Sequence, residues 1–121
     1  MKLLSKFACF CLGACLLAAD VSRAAEKLPD DFFAKEVLPI LEDKCFRCHG
    51  AGDELEGSLR LTSREHLLEG GDIGPAVDLE SPDESLLISA INYEDLEMPP
   101  TGKLPQAQID TLTKWITAGM P

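Results

Sequence analysis

Within the segment "CFRCHGAG", Cys45, Cys48 and His49 place two thiols and an imidazole in five consecutive positions. Three chemistries use such a set. A structural zinc site needs four ligands, typically two spaced pairs. Beyond the motif only the isolated His66 could contribute once the N-terminal segment is removed, and no second pair follows. A redox dithiol normally opens a helix after a strand, inside a βαβ pattern. Here a helical pattern precedes the motif and no strand-like alternation flanks it. Covalent haem attachment employs all three residues. Each thiol adds across one haem vinyl group, Phe46 and Arg47 set the span between vinyls, and His49 lies beneath the iron as its proximal ligand. Of the three, only haem attachment accounts for the whole motif.

The iron would have a sixth position, for which His66, Met98 and Met120 are the candidates, or nothing at all. His66 falls in a polar helical turn beside Glu65, where a histidine is by default solvated. Met120 lies past the last expected helix, where terminal residues fray. Met98 sits in "LEMPPTGK", where Pro99 and Pro100 stiffen the backbone and forbid helix. A methionine there is poorly placed as core filler, and Met98 is the expected sixth ligand.

Hydrophobic periodicity predicts four helices to hold these groups. The first covers about 31–45, with Asp30 as cap, Phe33, Val37, Leu38, Ile40 and Leu41 apolar, and a kink at Pro39. The second is short, with Thr62 and Glu65 as a capping box and Gly70 as its stop. The third opens on Ser81-Pro82-Asp83-Glu84, with Ser81 as cap, and carries Leu86, Leu87, Ala90 and Ile91. The last runs from near Pro105 to Gly119, with Ile109, Leu112 and Ile116 on one stripe and Trp115 beside it. Its stripe is expected to meet Phe33 and Val37 of the first helix. Two long Gly/Pro-rich connections remain, "GGDIGPAVDLE" and "DLEMPPTGK", and such loops need something to wrap around. The fold class is a small all-α domain.

The N-terminus reads as an export signal over residues 1–24. Lys2 and Lys6 supply a positive start, Phe7 to Ala19 is uncharged and apolar, and Ser22-Arg23-Ala24 offers a cleavage site. Its 13-residue apolar run is too short for a permanent transmembrane helix. Leu12-Gly13-Ala14-Cys15 also passes as a lipobox, which would leave Cys15 lipidated in the cell envelope. Cleavage after Ala24 leaves 97 of the 121 residues, one small domain over 25–121. Of five cysteines only Cys45 and Cys48 then survive. Without a structural disulfide, a core this small needs buried surface from elsewhere, which a covalently held haem provides. Removing Lys2, Lys6, Arg23 and Asp20 from 11 basic and 21 acidic residues leaves 8 and 20, a formal charge of −12. That charge excludes nucleic acid, whose phosphates require a basic face, and suits a protein partner with a basic patch.

With these residues in view the chain resembles a small class I-like cytochrome c, and more closely the cytochrome c domain of planctomycete proteins. The matching stretches are "FFAKEVLPIL", "CFRCH", "GGDIGPA", "SLLISAI", "MPP" and "KLPQAQIDTLTKWITAG". The resemblance implies a few helices around one covalent haem c, thioether bonds at Cys45 and Cys48, and axial ligands His49 and Met98. It further implies that Gly74-Pro75 sets the Pro75 carbonyl against the free ring nitrogen of His49, fixing its tautomer.

A histidine and a thioether as axial ligands suit a single-haem electron carrier working in the periplasm or cell envelope. An enzyme of the peroxidase or oxidase kind would need an open iron position, and di-haem peroxidases a second attachment motif. A haem-based sensor, or a haem subunit of a larger redox complex, would instead use Met98 as a displaceable ligand.

Overall fold

The computed structural model describes residues 26–121, and the export segment expected over 1–24, with Cys9, Cys11 and Cys15, lies outside the described residues. Among the described residues the structure is helical. It contains α1 (Leu38–Lys44), α2 (Phe46–His49), α3 (Arg64–Glu69), α4 (Leu86–Ile91) and α5 (Gln106–Thr117), with a π turn at Phe33–Val37 and 3-10 turns at Glu56–Ser58 and Pro82–Glu84. The all-α class expected from the sequence is the class observed. No helix is long and apolar enough to cross a membrane among the described residues.

The kink expected at Pro39 takes the form of the π turn. Proline has no N–H to donate four residues back, and the chain widens one turn earlier, where the Leu38 N–H bonds the Phe33 carbonyl. Pro39 thereby falls in the first turn of α1, where its missing donor would have no partner. α1 stops at Lys44, and Cys45 leaves helical geometry (φ −123°) before α2 restarts as one turn.

Three expected caps move, and the first helical stretch starts from Phe32 with no side-chain capping bond, so Asp30 does not cap it. Ser63, not Thr62, caps α3, accepting the His66 N–H at 3.1 Å, while the Thr62 hydroxyl lies 3.1 Å from His66 Nδ1. Adjacent hydroxyl residues compete for the cap, and only Ser63 directly precedes the first helical residue in extended conformation. Ser81 makes no capping bond. Asp78 instead orders the turn before Pro82, its Oδ1 accepting the N–H groups of Glu80 and Ser81 at 2.8 and 3.2 Å. The third predicted helix then divides at Ser85 (ψ 136°), whose buried hydroxyl accepts the Asp78 N–H at 3.0 Å.

α5 buries Ile109, Leu112, Trp115 and Ile116 at helical spacing and packs on the π turn and α4. The predicted meeting of chain ends is present. The Phe33 and Trp115 rings lie 5.4 Å apart at 35°, and Val37 and Ile116 are fully buried. Trp115 keeps its polar edge satisfied by donating Nε1–H to the Pro121 carbonyl at 3.1 Å. Trp115→Ala is expected to cost about 3–5 kcal/mol in denaturant unfolding. Met120, expected to fray, is instead buried at 2% exposure, its N–H on the Trp115 carbonyl at 2.9 Å.

Candidate functional site

The single turn of α2 settles the geometry of the motif. Positions i, i+3 and i+4 of a helical turn share one face, so Cys45, Cys48 and His49 present their side chains together. The turn is closed by the Cys48 and His49 N–H groups on the Cys45 carbonyl at 3.2 and 2.9 Å. All three residues line a cavity of about 460 Å³. Neither thiol is in a disulfide. Burial pushes the Cys45 thiol up from its ordinary 9.0 to about 11, whereas Cys48 is exposed.

The cavity wall is mostly apolar, built from Leu59, Leu61, Ala76, Leu87, Ile91 and Leu104 among others. Met98 enters it from the loop after α4, so the two long connections of the sequence do wrap one hollow. Of the other sixth-ligand candidates, neither His66 nor Met120 reaches the cavity. His66 faces Thr62, and Met120 belongs to the core.

His49 is held twice. Its carbonyl accepts the Leu61 N–H at 2.8 Å, and its Nδ1 lies 3.1 Å from the Leu59 carbonyl oxygen. A carbonyl only accepts, so Nδ1 carries the proton and Nε2 is left with its lone pair for a metal. The carbonyl expected from Pro75 is therefore supplied by Leu59. The extended segment Leu59–Leu61 runs alongside His49, while Pro75 is exposed and outside the cavity wall.

At the edge of the cavity the 70–74 turn presses on the Glu56–Ser58 turn, with the Asp72 N–H on the Gly57 carbonyl at 2.9 Å. Two glycines permit the approach. A Cβ on Gly70 would sit 1.9 Å from the Gly74 oxygen, and one on Gly71 would sit 2.3 Å from the Gly57 oxygen.

The donor set decides which group fits. Among the described residues no group of three or more His, Cys, Asp or Glu side chains could hold a metal ion by itself. Two unpaired thiols, one imidazole with a free Nε2 and one thioether, all facing an apolar hollow, are matched by a flat apolar macrocycle that brings its own metal and takes thioether bonds. A helical domain folded around such a cavity, with Cys-x-x-Cys-His in its wall, is a c-type cytochrome domain.

Residues 45–102 match the family described as Planctomycete cytochrome C. Neither the curated proteins nor the solved structures give a match. A match to a cytochrome c family implies covalently bound haem c, and the matched span coincides closely with the stretch that lines the cavity.

Proposed function

We propose that the protein is a single-haem electron carrier, exported to the periplasm or cell envelope. In this reading Cys45 and Cys48 form the thioether bonds, and His49 Nε2 and Met98 Sδ are the axial ligands. Haem c supplies a one-electron iron couple when bound. The chain's own residues then have distinct tasks. The Leu59 carbonyl fixes the imidazole tautomer and raises its basicity. Met98 adds a thioether, which favours ferrous iron and a higher potential than a second nitrogen would give. The leucine and isoleucine wall keeps water away, and the π turn with α5 braces the domain from behind. One observation carries the reading: Cys45, Cys48, His49 and Met98, drawn from two separate segments, all line one apolar cavity.

The partner follows from the rim. Ile73, at 71% exposure the most exposed large hydrophobic among the described residues, stands at the cavity edge next to Asp72, with Glu56 also on the wall. Lys44, the rim cation, is paired with Asp43 at 2.8 Å. A redox protein with a basic patch and an apolar contact for Ile73 fits this edge.

The test is a redox titration of the purified haem protein with its intact mass, followed by carbon monoxide added to the ferrous form. A mass increment of one haem, a one-electron couple and slow carbon monoxide binding are expected. Rapid binding to the unperturbed protein would favour a sensor or an enzyme instead.

A further inference from the structure

Met98 lies in a segment with no regular secondary structure, and a neutral thioether is a weak ligand. Its backbone therefore has to be held by contacts on both flanks. On one side the Met98 N–H bonds the Ala90 carbonyl at 3.1 Å, near the end of α4. On the other side the Pro99 carbonyl accepts a hydrogen bond from the Tyr93 hydroxyl. Both anchors come from the same helix end, since the Tyr93 N–H also bonds Ala90, at 3.2 Å.

Tyr93 is the single tyrosine of the chain and does not line the cavity. It takes φ +61°, a left-handed conformation that is uncommon for a bulky residue and costs free energy. This conformation turns the chain out of α4 while the half-buried ring reaches across the following loop to Pro99. Pro99 is itself buried. Asn92, its neighbour, spends its amide on the Ile88 carbonyl at 2.8 Å, within the helix.

We infer that Tyr93 is the positioning residue for Met98, its hydroxyl holding the Pro99 carbonyl so that the adjacent thioether stays in the cavity. This rests on the reading of Met98 as an axial ligand. The experiment uses the haem-loaded protein as wild type, Tyr93→Phe and Asn92→Ala. The readouts are the long-wavelength ferric band of thioether ligation, the reduction potential, and the carbon monoxide binding rate. Tyr93→Phe deletes one oxygen and leaves the ring packing in place, so its far-ultraviolet circular dichroism should match wild type. Its Met98-free population should rise about tenfold, the loss expected for one net hydrogen bond. The band weakens, the potential falls and carbon monoxide binds faster by a similar factor, while Asn92→Ala moves none of the three. In the wild type the Tyr93 hydroxyl proton should exchange slowly with solvent, a measurement that does not depend on the variant folding. A wild-type band left unchanged by Tyr93→Phe, or a rapidly exchanging hydroxyl, overturns the inference alone. A wild type without the band overturns the Met98 reading and this inference with it.

Discussion

Replacing both Cys45 and Cys48 by alanine is expected to remove all haem staining from the protein band on a denaturing gel. The intact mass should fall correspondingly to that of the bare chain. Cys48 is exposed, so its truncation removes little buried surface. Cys45 is half-buried against the core, so a collapse in recovered folded protein reports lost haem rather than lost packing when Cys48→Ala alone reproduces it. Wild-type haem that extracts into acidified organic solvent would refute covalent attachment. The Cys45 thiol adds a second signature. Its value rises from 9.0 in the unfolded chain to about 11 in the fold, because burial disfavours the thiolate. Below pH 9 both states hold the proton and stability is full. Between pH 9 and 11 the unfolded chain ionises first, so up to about 2–3 kcal/mol of stability is lost. Protein without attached haem should show this alkaline loss in denaturant titrations. Attached protein and the double alanine variant should not, since neither retains the thiol.

Met98→Ala is expected to abolish the thioether band, lower the reduction potential by on the order of 100 mV and open the iron to rapid carbon monoxide binding. Met120→Ala is the informative comparison, because the two methionines differ in place rather than in chemistry. Met98 lines the cavity, and Met120 is buried at 2% exposure among core residues. Truncating Met120 should cost about 2–5 kcal/mol of stability and leave spectrum and potential as they were. A band that survives Met98→Ala and disappears with Met120→Ala would reverse the assignment. It would also require the C-terminus to leave its hydrogen bond to Trp115.

What could be read from the sequence was what depends on residue type at short range. The helical spacing of Ile109, Leu112 and Ile116, the stops at Gly70 and Gly119, and the Cys-x-x-Cys-His turn are all local. So was the pairing of Phe33 with Trp115, because two apolar stripes in a small domain have few places to go. Three features escaped for related reasons. The Leu59 carbonyl that engages His49 belongs to the backbone, which carries no residue signature. Tyr93 acts through a hydrogen bond to another backbone oxygen, at Pro99. The π turn that absorbs Pro39 depends on where the chain widens, one of several ways a helix accommodates proline. Position 120 was misjudged by its nearness to the terminus. The positive φ of Met120 turns the chain back, and its side chain is buried in the same core cluster as Trp115.

The two glycines in the turn at the cavity edge divide this region by evolutionary freedom. Gly70 and Gly71 leave no room for a Cβ against the Gly74 and Gly57 oxygens. Mutational drift at either one has to move the turn and the cavity edge with it. Asp72 and Ile73, one and two positions further on, are exposed at the tip of the same turn. Substitution there changes charge and contact without disturbing the frame. Under the proposed docking at the rim, a lineage retunes its partner there while inheriting the cavity unchanged.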